Sequence, residues 1–318
     1  MNLKAKSLFN QKLSPSKKER IMNKIKVEWP LHLMLLPCVI ILLIFCYYPM
    51  IGIVIAFQRY NPRLGFFGSP LVGLDNFKYL LKMPNTYQIL FNTVFIAFLK
   101  IVMGLIVPIT FAILLDLVKK SWFKRSIQTI IYIPYFLSWV ILAGILIDIL
   151  SPSTGIVNQF LKLFGMEPIF FLANEKLFPY VLVTTDTWKN FGYGTIIYLA
   201  AITAIDTSLY EAAIIDGSNR FKQVWHITLP GITPIVVLMA TLSLGNVLNA
   251  GFDQVLNLYN PSVYSTGDII DTFVYRLGLQ NNQYGIASAA GLFKSVVSFV
   301  FITVGYGLAY KFGDYRVF

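Results

Sequence analysis

Six long apolar runs dominate this chain of 318 residues. A helix needs about 20 residues to cross a hydrocarbon core of roughly 30 Å, and each run reaches that length. We place the predicted spans at Leu31–Phe57, Thr93–Leu117, Ile127–Leu150, Pro179–Ile205, Ile232–Phe252 and Ile286–Tyr310. Hydrophobic residues make up 56% of the chain and charged residues only 13%, with a mean hydropathy of +0.66. The sequence therefore predicts an all-α membrane protein with six transmembrane helices.

The distribution of lysine and arginine predicts the orientation of these spans. Sixteen of the 26 basic residues lie in the N-terminal tail, two alternate loops and the C-terminal end, whereas seven lie in the other three loops. Because cytoplasmic segments are enriched in positive charge, both termini are expected in the cytosol. We divide the chain into a basic cytosolic tail, residues 1–29, and a transmembrane domain, residues 30–318, with a cytosolic loop at about 206–231. The tail's charge is attributed to topology and to anionic lipid headgroups rather than to nucleic acid.

The cytosolic loop carries a local helix pattern. Ser208 and Glu211 stand in the S-x-x-E relation of a capping box, which predicts a short helix beginning near Leu209. Gly217 is able to end this helix with a positive φ. On these signals alone, an ordinary capped loop helix remains as good a reading as a functional one.

The same loop resembles a known family. It contains Glu211-Ala212-Ala213, then Gly217 four residues on, and Ile227-Thr228-Leu229-Pro230 beginning ten residues after that glycine. This pattern is similar to the EAA signature of permease subunits of ATP-binding-cassette (ABC) importers. In that family the loop forms a coupling helix that fits a cleft on the ATPase subunit. The resemblance implies that Glu211, Ala212, Ala213 and Gly217 contact an ATPase here.

Enzymatic and metal motifs are missing from the sequence. It has no G-x-x-x-x-G-K-[ST] phosphate loop, its two histidines, His32 and His226, are far apart, and no Cys/His cluster has metal-ligand spacing. We therefore predict a non-enzymatic subunit that binds no cofactor or metal, with ATP and Mg on a separate ATPase. Cys38 and Cys46 lie about 12 Å apart along one predicted helix, too far for a disulfide.

Polar residues inside the spans are candidates for a substrate path, since charge in hydrocarbon is costly. Asp186, Lys189 and the candidate contacts Trp188 and Asn190 cluster in the fourth span. Asn246, Asn249 and Asp253 follow an i, i+3, i+7 spacing that predicts one polar face on the fifth span, with Gln254 beside it. For Lys100 and Lys294 we favour snorkelling or an interhelical ion pair over ligand contact.

Amides, carboxylates and aromatic rings suit a carbohydrate. Amides and carboxylates form hydrogen bonds with sugar hydroxyls, and aromatic rings pack against the C–H faces of the sugar ring. Chemistry alone favours a sugar only modestly, since aromatic belts account for many such rings. The run from Asn249 to Pro261, with Asp268–Arg276 and Gly291–Ser295, is similar to permeases of bacterial oligosaccharide importers.

This narrower resemblance implies a bacterial cell membrane location and alternating access. It also implies a second, unlike permease, two ATPases and an extracytoplasmic solute-binding protein that docks on the outer loops at Gln58–Phe91 and Asp253–Gly285. Two alternatives stay open: an ABC importer permease for a non-sugar solute, and an ion-coupled secondary transporter using a carboxylate such as Asp186 or Asp253.

Overall fold

A computed structural model describes residues 17–313 apart from Asn246. Across these residues the only extended pairing is an isolated antiparallel bridge between Gln58 and Leu71. All other elements are helical, which confirms the all-α prediction. Residues 1–16 of the predicted tail, Asn246 and the last five residues lie outside the described part.

The α-helices fall on both sides of the predicted cytosolic loop. Before it lie α1 (Lys17–Leu42), α2 (Gly65–Gly68), α3 (Asp75–Lys82), α4 (Thr86–Asp116), α5 (Ser121–Tyr132), α6 (Trp139–Ile149), α7 (Ile156–Leu163) and α8 (Phe178–Thr203). In and after it lie α9 (Thr207–Ile215), α10 (Arg220–Gln223), α11 (Leu229–Leu244), α12 (Phe252–Leu258), α13 (Tyr264–Gly267), α14 (Ile270–Tyr275) and α15 (Tyr284–Gly313).

The chain separates into two compact units, residues 1–54 and residues 55–318. The first is a helical segment, in which α1 passes through a π turn at Leu43–Tyr47 into a 3-10 helix that begins at Tyr48. Pro37 lies within α1, and Pro49 lies near the start of the 3-10 helix. Cys38 and Cys46 form no disulfide, as their spacing predicts, and both side chains are exposed.

In the second unit, α4 and α8 pack along each other and form the centre. Tyr198 and Ile202 of α8 lie with Ala112 of α4 in one buried apolar cluster, and Ile96 and Leu182 belong to another. Each of these helices buries one side and leaves large apolar side chains exposed on the other. Exposed apolar side chains on such helices fit a hydrocarbon solvent.

Two predicted spans differ from the structure. The third is broken into α5 and α6 by a 3-10 turn at Ile133–Phe136, and its two limbs meet at 106°. The fifth was predicted to run to Phe252, but α11 ends at Leu244. Within the described residues, four helices are long and apolar enough to cross a membrane, and six result only if each of two bent helix pairs counts as one span.

Candidate functional site

The exposed helix α9 begins differently from the capping-box prediction. The N-cap is Asp206, whose carboxylate accepts a hydrogen bond of 2.9 Å from the backbone N–H of Ser208, and the helix starts at Thr207. Asp206 immediately precedes the helix and has an extended backbone conformation. This geometry lets its carboxylate act as the N-cap. Hydrogen bonding from Ser208 holds the pKa of Asp206 below its usual range. Glu211 therefore has no capping role and remains exposed.

The C-terminal end of α9 follows the sequence prediction. Gly217 has a φ of +73°, its N–H donates to the Ile214 carbonyl at 3.0 Å, and Ser218 N–H donates to the Ala213 carbonyl at 2.8 Å. These two bonds form a Schellman motif, for which glycine is the favoured residue. A Cβ at Gly217 would meet no other atom of this chain within 4 Å, so this position faces open space.

The α9 surface is unusually apolar for a loop. None of its residues is buried, and Ile215 is 86% exposed. Phe221 and Trp225, with ring centroids 6.3 Å apart, add two more exposed side chains beside it. A hydrogen bond of 2.9 Å between the Tyr210 and Thr228 hydroxyls ties α9 to the helix that follows. An exposed apolar patch of this kind is typical of a surface that contacts another protein or a membrane.

A second polar centre lies between α4, α8 and α12. Lys100 Nζ donates to the Ala250 carbonyl at 2.7 Å and to Gln254, and lies 3.4 Å from a carboxylate oxygen of Asp186. Gln254 in turn donates to the Leu182 carbonyl and the Thr185 hydroxyl, both at 2.8 Å. The interhelical ion-pair reading of Lys100 is confirmed. Gln254 is fully buried with its amide committed to protein groups, so it is not free to contact a solute in this conformation.

The predicted polar helix face was wrong, because α11 ends at Leu244 and the next helix begins only at Phe252. Asn249 lies in the irregular segment after α11, whereas Asp253 lies in the first turn of α12. Between them Gly251 has a φ of +92°, and a Cβ there would approach Lys100 Nζ to 2.7 Å. The left-handed backbone favours glycine, and any side chain at this position would also have to displace the Lys100 ammonium. Asn246 lies outside the described residues.

Two further ion pairs fix the segment that follows α12. Lys294 of α15 lies 2.5 Å from Asp271 of α14, which confirms the ion-pair reading of this lysine. Arg276 pairs with the buried Asp268, and its guanidinium lies 4.6 Å from the centroid of the Tyr264 ring. The sequence does not reveal either pairing, because Lys294 and Asp271 lie on different helices, and Asp268 and Arg276 lie on either side of α14.

Asn249 lines two separate cavities. The larger, about 750 Å³, lies between the α12–α14 segment and α15, with Phe252, Tyr275, Ser288 and Lys294 in its wall. The smaller, about 220 Å³, is lined by Lys100, Asp186, Ser243 and Gly251. Each cavity contains one lysine and one carboxylate, and Asn249 lines both. The wall of the larger cavity is mostly apolar and partly aromatic, with a few polar groups, whereas the smaller cavity is more polar. Polar groups beside aromatic rings suit a polyhydroxylated solute.

Other candidate residues lie elsewhere. Trp188 is exposed and Asn190 half-buried on α8, and neither lines these two cavities. Sequence reasoning missed Tyr275, Tyr284 and Ser288, which only the fold brings to the larger cavity. No group of three or more His, Cys, Asp or Glu side chains able to hold a metal occurs in the described part of the chain.

Long apolar helices that enclose buried ion pairs and polar cavities define a multi-pass membrane transport protein. Residues 104–312 match the family model described as "Binding-protein-dependent transport system inner membrane component". The chain belongs to this family and is the permease subunit of an ABC importer, a membrane component that leaves ATP hydrolysis to a separate subunit. The resemblance of the EAA loop is thereby confirmed at the level of the family.

Among curated relatives, the chain is 41% identical to the polygalacturonan/rhamnogalacturonan transport system permease protein YteP of Bacillus subtilis (strain 168), covering 95% of this chain and 94% of that protein. It is 40% identical to Protein LplB of the same organism, with 93% of each chain covered. Among solved structures it matches a bacterial ABC transporter involved in the import of the acidic polysaccharide alginate, with a TM-score of 0.85 and 37% identity over 92% of this chain and 99% of that chain.

Proposed function

We propose that this permease carries an oligosaccharide across the bacterial cell membrane into the cytoplasm. The observation that carries the proposal is the pair of cavities that share Asn249 in their walls and combine amide, hydroxyl and aromatic groups with balanced charge. The names of the relatives support a sugar, since they include transporters of pectic polysaccharide and of arabinooligosaccharides. A non-sugar solute is the alternative, whereas an ion-coupled secondary transporter is inconsistent with membership of a binding-protein-dependent family.

Asn249 is the proposed central contact, with Asp253 exposed at the adjoining end of α12. Asn246, Trp188 and Asn190 remain candidate contacts. Gln254 is assigned instead to holding Lys100 and α8 together. The Lys100–Asp186 pair leaves the smaller cavity without net charge, so the proposal does not require an acidic sugar.

Helix α9 is the proposed coupling helix, in which Glu211, Ala212, Ala213 and Gly217 contact the ATPase. Its exposed apolar surface and the open space at Gly217 support this assignment. We further propose six spans with both termini in the cytosol, a second and unlike permease, and two ATPases that hold ATP and Mg. A solved relative is described in complex with a periplasmic protein bound to alginate pentasaccharide, which supports docking of a solute-binding protein on the outer loops, notably Gln58–Phe91 and Asp253–Gly285.

The decisive experiment uses the purified complex reconstituted in liposomes. ATP hydrolysis is measured with the solute-binding protein loaded in turn with neutral oligosaccharides, uronate oligosaccharides and amino acids. We expect stimulation by one class of oligosaccharide and none by amino acids. Stimulation by a non-sugar alone would contradict the carbohydrate assignment, and transport without the ATPase would contradict the coupling mechanism.

A further inference from the structure

Lys189 is a buried cation whose partners are backbone carbonyls. Its side chain lies in α8 and the residue is only 8% exposed. The ammonium donates to the carbonyl oxygens of Tyr135 at 2.8 Å and Leu137 at 2.6 Å, and lies 3.4 Å from that of Pro134. Among the described residues no carboxylate oxygen lies within 4.0 Å of it, and the nearby Asp186 pairs with Lys100 instead.

These three carbonyls belong to the break between α5 and α6. In a segment otherwise apolar enough to span a membrane, the 106° bend takes the Tyr135 and Leu137 carbonyls out of a continuous α-helix, whereas the Pro134 carbonyl also accepts from the Leu137 N–H at 3.2 Å. Unsatisfied carbonyls in such surroundings are costly, and broken helices persist where another group satisfies them. An ammonium has three donors and no acceptor, which matches a cluster of three oxygens. The rings of Tyr135 and Trp139, 5.6 and 5.7 Å from the nitrogen, add cation–π contacts.

The contact continues one turn along α8. A Cβ at Gly192 would collide with the Ile131 carbonyl, so only glycine lets α8 approach α5 this closely. Tyr193 stacks on Tyr135 with ring centroids 4.6 Å apart and planes 7° from parallel. Lys189, Gly192 and Tyr193 thus form a continuous joint between α8 and the broken segment.

The position of this joint gives it a mechanical consequence. Helix α8 runs to Thr203 and is followed, across a bend of 68°, by α9. A displacement of α9 therefore acts on α8, and whatever is fastened to α8 moves with it. We propose that Lys189 is a positioning residue that fastens the α5–α6 break to α8, so that movement of α9 is transmitted to the broken segment. This inference rests on the proposed coupling role of α9.

The joint is testable by a distance between the two limbs of the broken segment. Spin labels are placed at Trp122→Cys in α5 and Ile147→Cys in α6, in the full complex with Cys38 and Cys46 replaced by Ser. With Lys189 present we expect a narrow distribution of distances between the two spin labels, and its mean should shift when a non-hydrolysable ATP analogue is added. Lys189→Met should at least double the width and abolish the shift, whereas Lys189→Arg, which keeps charge and donors, should restore both. Lys162→Met, a change at an exposed lysine, is the matched control.

A functional readout accompanies the distances. Lys189→Met should keep basal ATP hydrolysis but lose several-fold of its stimulation by the loaded binding protein. If Lys189→Met prevents assembly, Gly192→Ala tests the same joint, because its Cβ pushes α5 away while the lysine remains. A narrow, nucleotide-responsive distribution in Lys189→Met, or in Gly192→Ala where that variant is used, would overturn the proposal. If no sugar stimulates the wild-type complex, the proposed substrate is wrong, yet the nucleotide-dependent distances still test the joint.

Discussion

Single residues decide how closely the helices of this permease approach one another. Gly251 is the clearest case, because it combines a φ of +92° with the approach of Lys100. The sequence favoured either snorkelling or an ion pair for Lys100, and it did not indicate that the ammonium would lie against a glycine. A lysine in one span and a glycine 151 positions later carry no shared pattern, so only the folded chain reveals their contact.

Replacement of Gly251 by alanine should destabilise the complex. The left-handed backbone alone costs about 1–3 kcal/mol for a non-glycine residue, and the new methyl group displaces the Lys100 ammonium. We expect a lower unfolding temperature in detergent and a loss of transport. Gly144→Ala is the matched control, since its Cβ would meet nothing within 4 Å inside α6 and alanine favours helix. Equal unfolding temperatures for the two variants would contradict the strain argument.

Asn249 is the residue on which the proposed sugar contact depends. Asn249→Ala removes a neutral hydrogen-bonding group shared by both cavities, which should cost about 0.5–1.5 kcal/mol and weaken apparent affinity several-fold. Transport is measured against sugar concentration at matched expression, with basal ATP hydrolysis expected to stay normal. An unchanged half-saturation in Asn249→Ala, with Asp253→Asn also silent, would move the site toward Trp188 and Asn190.

At the scale of elements, the sequence predicted apolar helices well and their interruptions poorly. Hydropathy averages over a window, so a short break inside an apolar run changes it little. The break at Ile133–Phe136 is stabilised by Lys189 from another helix, and the end of α11 at Leu244 precedes a segment ordered by Lys100. Such tertiary contacts produce no periodic pattern in the sequence. The end of α9 was predictable because Gly217 acts locally, through its own φ and two backbone bonds.

Gly217 also gives the sharpest test of α9 as the coupling helix. Gly217→Gln should uncouple transport from ATP hydrolysis, because a long side chain enters the space where the ATPase is proposed to pack, at an overpacking cost of roughly 1–3 kcal/mol. Gly165→Gln is the control, since that glycine has a φ of +74° and equally open surroundings but lies in another loop. The measurements are sugar uptake and co-purification of the ATPase. An equal loss of sugar uptake in both variants would mean that backbone strain, and not contact with the ATPase, explains the effect.

At the scale of the whole molecule, two features matter: the apolar surface of the helices and the distribution of positive charge among the loops. Composition alone predicted a membrane protein, because helices exposed to lipid are apolar on their outer faces and raise the hydrophobic fraction of the whole chain. Orientation is a different matter, since it depends on charges in loops and on no contact within the fold. The proposed arrangement therefore stands on the count of basic residues, and it demands a direct test.

Cysteine labelling in intact cells provides that test. Ser121→Cys, at the start of α5, should react with an impermeant maleimide only after permeabilisation, whereas Ser262→Cys, between α12 and α13, should react from outside. Both positions are exposed, so a difference in reactivity reports the side of the membrane rather than burial. Cys38 and Cys46 are replaced by Ser beforehand, because both are free. Labelling of Ser121→Cys in intact cells would invert the topology. It would also place α9 outside the cell, where no ATPase could reach it.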